Sequence, residues 1–146
     1  MEFGNPDRLP VVFVVDDDEN DRELARRALK SGPVSCSVRF AKDGQEAVDS
    51  LLDLSEELPD LILLDLKMPR LNGHEVLKQV RGNERARICP VVVFTSSGQT
   101  SDIVGCFESG ANSFVRKSID FDQYISLVRD VAKYWLQVNE PCNGRP

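Results

Sequence analysis

Short apolar runs alternate with amphipathic stretches along almost the whole chain. Residues 11–15, 61–64 and 91–94 are apolar and rich in β-branched side chains, which is typical of central strands covered on both faces. Residues 34–40 alternate apolar with small or charged side chains, which favours a less buried strand near an edge. Residues 113–116 predict a last, short strand, so the pattern indicates five strands in all.

Each predicted strand is followed by apolar side chains that recur at helical spacing. The first such stretch ends at Gly32-Pro33, and the second and third begin at Asp43-Gly44 and Asn72-Gly73. The positions at helical spacing are Leu24, Ala25, Ala28 and Leu29; Ala47, Val48, Leu51 and Leu52; Val76, Leu77 and Val80; Ile103, Val104, Phe107 and Ala111; and, within residues 124–138, Ile125, Val128, Val131, Ala132 and Trp135. This alternation predicts an α/β fold, a flavodoxin-like doubly wound (βα)5 unit whose five-stranded parallel sheet has the order 2-1-3-4-5.

The length and composition limit the domain organisation and the class of function. A chain of 146 residues permits one full core, and we expect a single domain at residues 10–139 with tails at 1–9 and 140–146. The net charge of -6 argues against direct binding to nucleic acid or to anionic lipid. Neither a signal peptide nor an apolar run of membrane-spanning length is evident, so we expect a cytoplasmic protein. The four scattered cysteines, without a CxxC pair, are assigned to neither a metal nor a disulfide.

Polar residues follow the apolar strands at the ends where ligands bind in such sheets. Asp16 and Asp17 follow the first strand, Asp65 the third, Thr95 the fourth and Lys117 the fifth. The carboxyl ends of parallel strands share one edge of the sheet, and the predicted strand order reverses between the first and third strands. The three carboxylates are therefore expected to converge at this reversal.

Gathered carboxylates need a counter-charge, because each like neighbour disfavours the charged form. Oxygen ligands without histidine or cysteine favour a hard cation such as Mg²⁺. Thr95 and Lys117 supply a hydroxyl and an ammonium that could receive the oxygens of a phosphoryl group. We therefore expect Asp65, alone at its strand end, to be the nucleophile, with Asp16 and Asp17 holding the metal.

Four motifs at these strand ends resemble one known family. The segments VVDDDEND, LILLDLKMPRLNG, VVVFTSS and NSFVRKSIDFD are similar to the receiver domain of two-component response regulators, and the resemblance runs over residues 11–138. The segment FDQYISLVRDVAKYWLQVNEP further resembles small, stand-alone receivers that partner phytochrome-type and related hybrid histidine kinases. The resemblance implies transfer of a phosphoryl group from a kinase phosphohistidine to Asp65 in the presence of Mg²⁺, followed by slow hydrolysis.

The family motif also implies a role for each site residue. Asp17, Asp65 and the backbone carbonyl of Lys67 would bind Mg²⁺ directly, and Asp16 would act mainly through a bound water. Thr95 would contact the phosphoryl group and Lys117 would pair with it. Phe114 would be the aromatic switch residue, whose ring swings inward when Thr95 moves.

The resemblance implies a signalling protein whose product is its own phosphorylated state. Apart from its own phosphorylation and dephosphorylation it would not be an enzyme, and it would act through protein contacts, including a possible homodimer, made by the fourth helix, last strand and fifth helix. One departure is Ser118, where the family usually has proline after the lysine, often across a cis peptide. A cis bond before serine would cost about 2.5 to 4 kcal/mol, so we expect a trans bond.

Two alternative functions compete with the receiver hypothesis. A phosphatase of the haloacid dehalogenase type would use a DxD pair after the first strand, which Asp16 and Asp18 imitate, but this leaves the motif around Asp65 unexplained. A docking module without phosphoryl chemistry is disfavoured because Asp17, Asp65, Thr95 and Lys117 are all intact. Asp18 is expected to lie in a polar loop or near a helix N-terminus. His74, at a helix start, is expected to be solvated or capping.

Overall fold

All five predicted strands are present in a computed structural model of the chain, which describes residues 8–142. The strands are β1 (Val11–Val15), β2 (Ser37–Ala41), β3 (Leu61–Leu64), β4 (Val91–Thr95) and β5 (Ser113–Arg116). They form one parallel sheet in the order β2-β1-β3-β4-β5, which confirms the predicted flavodoxin-like topology. The predicted tails fall partly outside the described residues, at 1–7 and 143–146.

Five helices connect and cover these strands. They are α1 (Glu19–Lys30), α2 (Gly44–Leu52), α3 (Gly73–Gly82), α4 (Thr100–Glu108) and α5 (Phe121–Lys133), with a 3₁₀ turn at Ala86–Ile88 and a π-helical turn at Tyr134–Val138. Side chains cap four of the helices: Asp18 caps α1, Asp43 caps α2, Asn72 caps α3 and Asp120 caps α5. Each caps by accepting hydrogen bonds from first-turn amides that have no partner within the helix.

The sheet separates two hydrophobic layers, because successive side chains along a strand point to opposite faces. On one face, Phe13, Val15, Ile62 and Leu64 pack with side chains of α2 and α3. The opposite face packs against α1 and α5 through a second set of strand residues, Val12, Val14, Leu61, Leu63, Val92 and Phe94. Every residue of β1, β3 and β4 is buried, as expected for central strands with helices on both faces.

Two of the element boundaries that differ from the sequence prediction have a clear physical reason. The second strand begins at Ser37 rather than at residue 34, because Val11, the first residue of its partner β1, pairs with Ser37. Helix α4 ends at Glu108, and the predicted helical position Ala111 lies beyond it. The reason is Gly110, whose φ of 102° takes the chain out of the helix through a conformation that favours glycine.

The helices of the described part of the chain are short relative to a bilayer. Within residues 8–142, none combines the length and the apolar character that crossing a membrane requires.

Candidate functional site

Three aspartates meet where β1 and β3 end side by side. The two strands pair up to Val15 and Leu64, and the aspartates follow directly. Asp16, Asp17 and Asp65 each offer a carboxylate oxygen, and these oxygens lie within 4.8 Å of one another. Asp16 and Asp65 are buried, whereas Asp17 is exposed, so the cluster opens to solvent on one side.

The ammonium of Lys117 lies among these carboxylates. Its Nζ donates to Asp16 Oδ2 at 2.6 Å, to Asp21 Oδ2 at 2.8 Å and to Asp65 Oδ2 at 3.3 Å. Burial favours the neutral amine, but attraction to Asp16 and Asp65 outweighs it and raises the pKa of Lys117 above its usual value. Lys117 therefore remains charged at every physiological pH.

One lysine does not neutralise the site. Burial raises the pKa of Asp16 to about 6, and attraction to Lys117 offsets this only in part. The neighbouring charge of Asp65 raises the pKa of Asp16 further. The single ammonium contacts the carboxylates of Asp16, Asp21 and Asp65, and the carboxylate of Asp17 adjoins this group, which leaves a net negative charge when all four are ionised. This oxygen-only cluster, open on the side of Asp17, fits a hard divalent cation.

The Asp65 carboxylate is held in a fixed orientation. Its Oδ1 accepts a hydrogen bond from the amide of Leu66 at 2.7 Å, while its Oδ2 faces Lys117. The neighbouring Asp16 is fixed in a similar way, since its Oδ1 accepts from the amide of Asp18 at 3.0 Å. A backbone amide thus fixes the orientation of each of these two carboxylates.

Thr95 and Phe114 occupy the adjoining strands. Thr95 ends β4 and is fully buried, and its Oγ1 lies 3.5 Å from the amide of Ser97. Its carbonyl accepts from the amide of Lys117 at 2.8 Å, which joins two strand ends of the site. Phe114 pairs with Val93 in the β4–β5 register and packs, partly buried, against the hydrophobic layer beneath α3.

Lys67 lies on the rim of the site. It lines an open cleft beside the acidic cluster, together with Asp17, Asn72, His74 and Asp102. The structure therefore brings the predicted site residues to one edge of the sheet, except Phe114, which lies within β5. The individual roles of these residues remain predictions.

Asp21 belongs to the site although the sequence analysis did not single it out. It lies in the first turn of α1, its carboxylate contacts Lys117, and its carbonyl accepts from the hydroxyl of Tyr124 at 3.0 Å. The sequence could have indicated Asp21, because it lies in the first turn of the helix that follows β1, a strand that ends in the site. Asp18, by contrast, is not part of the acidic cluster of Asp16, Asp17 and Asp65, and it accepts from the amides of Asn20 and Asp21 as the N-cap of α1.

His74 differs from its expected solvated or capping role. Its Nε2 lies 3.6 Å from Asp102 Oδ1, and its Nδ1 lies 4.0 Å from the sulfur of Cys106. Asn72 provides the cap of α3 instead. The His74 ring can lie close to α4 because residue 105 is glycine. A Cβ at residue 105 would lie only 3.3 Å from Cε1 of the ring.

Hydrogen bonds of Ser118 hold the loop after Lys117 in place, although proline is absent at that position. The peptide bond before Ser118 is trans, as expected. The Ser118 hydroxyl donates to Gln123 Oε1 at 2.7 Å and accepts from the amide of Asp120 at 3.0 Å. These contacts tie the loop to the start of α5 and restrain the backbone that carries Lys117.

Comparison with known proteins identifies the family. The family model described as "Response regulator receiver domain" matches residues 12–129. The chain belongs to this family. As a receiver of a response regulator it takes part in phosphorelay signal transduction, and the sequence-based recognition of the family is confirmed.

Relatives of similar length support this membership. The receiver is 33% identical over 133 residues to the probable methanogenesis regulatory protein FilR2 of Methanothrix harundinacea, covering 88% of this chain and 85% of that protein. It is 30% identical over 138 residues to the response regulator Rcp1 of Synechocystis, covering 92% of each chain.

Crystal structures of two regulators are similar to the receiver. The Mn²⁺-bound form of Rcp1 has a TM-score of 0.85 and 28% identity, covering 91% of this chain and 99% of that one. The phosphorylated cyanobacterial phytochrome response regulator RcpA also has a TM-score of 0.85, with 30% identity, covering 91% and 98% of the two chains.

Proposed function

We propose that Asp65 accepts a phosphoryl group from the phosphohistidine of a sensor or hybrid histidine kinase, in a reaction that depends on Mg²⁺. The observation that carries this proposal is the position of the Asp65 carboxylate, which lies close to Asp16 and Asp17 and 3.3 Å from Lys117 Nζ. A phosphoryl group attached there would meet an acidic metal site and an ammonium at once.

The acidic cluster fits Mg²⁺ by its chemistry and charge. Asp17, Asp65 and the backbone carbonyl of Lys67 would hold the cation, with Asp16 acting through a water molecule. When bound, Mg²⁺ would neutralise charge on the carboxylates and on the incoming phosphoryl oxygens. The exposed side chain of Asp17 leaves the site accessible from solvent, as reversible binding requires. The Mn²⁺-bound form of Rcp1 supports the binding of a divalent ion.

The transfer step exchanges one bond to phosphorus for another. An Asp65 oxygen forms a P–O bond as the P–N bond to the kinase histidine breaks, and the imidazole nitrogen keeps the electron pair. Thr95 would donate its hydroxyl to a phosphoryl oxygen, and Lys117, already 3.3 Å from Asp65 Oδ2, would pair with another. Attack by water on phosphorus later releases inorganic phosphate and restores the carboxylate, so the chain would catalyse only these reactions on itself.

The phosphorylated state would signal through protein contacts. We infer a Thr95–Phe114 switch that reports phosphorylation to the surface formed by α4, β5 and α5. Apolar side chains on that side are exposed, among them Val104, Phe107 and Tyr134, and could contact a protein partner or a second copy of the chain. The phytochrome response regulator RcpA suggests a phytochrome-type kinase as donor. A cytoplasmic location without direct nucleic-acid or membrane binding agrees with the net charge of -6.

Intact-mass measurement tests the proposal. The protein is incubated with Mg²⁺ and acetyl phosphate, quenched in acid and weighed beside Asp65→Asn and a matched control, Asp49→Asn, which changes an exposed carboxyl on α2. One added phosphoryl group in the wild type and in Asp49→Asn, absent from Asp65→Asn, is the expected result. The same adduct on Asp65→Asn would contradict the assignment of the acceptor.

The same samples distinguish the phosphatase alternative. A phosphatase of the haloacid dehalogenase type would release phosphate from many esters, keep that activity in Asp65→Asn and lose it in Asp16→Asn. The structure disfavours this alternative, because Asp18, the second acid of the imitated pair, caps α1 and lies outside the acidic cluster.

A further inference from the structure

One carboxylate joins the loop before α4 to a neighbouring helix. The Ser97 hydroxyl, in the loop between β4 and α4, donates to Asp102 Oδ2 at 2.5 Å. The other oxygen of Asp102, in the first turn of α4, lies 3.6 Å from Nε2 of His74 on α3. The hydrogen bond from Ser97 lowers the pKa of Asp102; burial opposes this, but the contact with His74 also lowers the pKa, so Asp102 is an anion at neutral pH.

This connection ends at Thr95. The amide of Ser97 points at Thr95 Oγ1 from 3.5 Å, and the Ser97 hydroxyl also accepts from the amide of Gln99 at 3.4 Å. Ser97 is buried and Thr95 is fully buried, although Ser96 between them is exposed. The loop therefore contacts Thr95 through the amide of Ser97, and the bond from Ser97 to Asp102 fixes the position of that amide.

The same carboxylate faces the phosphoacceptor side of the sheet. Asp102 and His74 line the open cleft that also contains Asp17 and Lys67. A phosphoryl group on Asp65 would place three further oxygens beside the end of β4. Thr95 would then have to direct its hydroxyl at one of them, and the loop whose Ser97 amide contacts Thr95 would have to adjust.

We propose that Asp102 is a positioning residue that latches Ser97, and with it the loop between β4 and α4, in the arrangement of the unphosphorylated protein. This inference rests on the proposed phosphorylation of Asp65. A latch that is bonded in one arrangement and broken in the other shifts the balance toward the first. Breaking the latch should therefore favour the phosphorylated arrangement without a change in the chemical groups that contact the phosphoryl group.

Binding of beryllofluoride, a non-covalent mimic of a phosphoryl group, measures this balance. The ligand is titrated calorimetrically in Mg²⁺ into the full chain and into Ser97→Ala, Asp102→Ala and the double variant. Each single variant is expected to bind it roughly three- to tenfold more tightly, as the loss of one charge-assisted hydrogen bond in a partly exposed place predicts. The double variant should bind no more tightly than the singles, because both changes break the same bond.

Matched variants separate the latch from general damage. Ser101→Ala and Glu108→Gln change exposed side chains of the same helix and should bind like the wild type, and Ser97→Thr, which keeps the hydroxyl, should restore wild-type affinity. Unfolding in denaturant is measured for every variant, since a purely structural role would lower stability and leave affinity unchanged.

Three results would overturn the inference. Equal beryllofluoride affinity of the wild type and the single variants would rule out the latch. Additive effects in the double variant would show that Ser97 and Asp102 act separately. Failure of the wild type to bind beryllofluoride, together with failure to take a phosphoryl group from acetyl phosphate, would instead overturn the proposed function and the latch with it.

Discussion

Lys117 and Asp16 form a buried ion pair, with Nζ and Oδ2 separated by 2.6 Å and side chains only 8% and 5% exposed. The lysine is 101 residues from the aspartate in sequence, and this pair ties the last strand end to the first. Lys117 also contacts Asp21 and Asp65, so a single ammonium compensates several carboxylates. Without a bound cation, the stability of this edge of the sheet therefore depends on Lys117.

Replacing Lys117 should expose that dependence. In Lys117→Met without Mg²⁺ at pH 7, we expect the free energy of unfolding to fall by about 3 kcal/mol, because the buried carboxylates lose their counter-charge. Denaturant unfolding measures the change. Lys78→Met, an exposed site on α3, serves as the matched control and should lie within about 0.5 kcal/mol of the wild type. Equal stability of Lys117→Met and the control would show that solvent, rather than Lys117, compensates the cluster.

The fold was predictable because burial leaves a periodic record in the sequence. The unbroken apolar runs of β1, β3 and β4 identified the covered strands, and the helical spacing identified the layers around them. The start of β2 was not predictable in the same way. Residues 34–36 continue the alternation, but the length of an edge strand is set by its pairing partner, whose first residue, Val11, is opposite Ser37.

The site was predictable as far as it depends on strand ends. Asp65 and Lys117 directly follow strands and Thr95 is the last residue of one, so topology alone brings them to one edge. Side-chain contacts made by the helices and loops do not follow from any such pattern in the sequence. Asp21 and the link from Ser97 through Asp102 to His74 depend on rotamers and helix packing, and became visible only in three dimensions.

Asp16→Asn should stabilise the protein without Mg²⁺ at neutral pH. The folded pKa of Asp16 is raised to about 6 from an ordinary 3.8, mainly by burial, so the folded state holds the proton more tightly than the unfolded state. Its contribution to stability is therefore fully present below about pH 4 and lost as pH rises through about 6. Asparagine cannot ionise, so the free energy of unfolding of the variant should exceed that of the wild type by roughly 1–3 kcal/mol at pH 7.

The difference in stability between Asp16→Asn and the wild type should vanish in acid. Near pH 4, Asp16 is protonated in the folded wild type, and the stabilities should agree within about 0.5 kcal/mol. Comparing the two proteins at each pH cancels the other carboxyl groups. Denaturant titrations at pH 4, 5, 6 and 7 measure the curve, and a difference that stays constant across this range would contradict the raised pKa of Asp16.

Mg²⁺ binding should weaken as pH falls through the pKa of Asp16. Protonation removes one negative charge from the cluster, and we expect the affinity of the wild type to fall about tenfold between pH 7 and pH 5. Asp16→Asn should bind more weakly at pH 7 and lack this part of the pH dependence. Calorimetric titration after treatment with EDTA measures both proteins. A wild-type affinity that stayed flat from pH 7 to 5 would exclude Asp16 from influence on the metal.

Asp17 and Asp18 should respond differently to the same substitution. The Asp18 side chain caps α1, accepting from the amides of Asn20 at 2.8 Å and Asp21 at 3.1 Å, so Asp18→Ala should lower stability by about 1 kcal/mol. Asp18→Ser, which can cap, should recover most of that loss, and neither change should move the Mg²⁺ affinity by more than about twofold.

Asp17→Ala should give the opposite result. Removing a carboxylate from a cluster with excess negative charge should leave the stability without Mg²⁺ unchanged or raised, while Mg²⁺ affinity should fall by at least about tenfold. Unfolding curves and metal titrations of Asp17→Ala and Asp18→Ala, read together, separate the two roles. If Asp18→Ala lost Mg²⁺ binding and Asp17→Ala kept it, the assignment of ligand and cap would have to be exchanged.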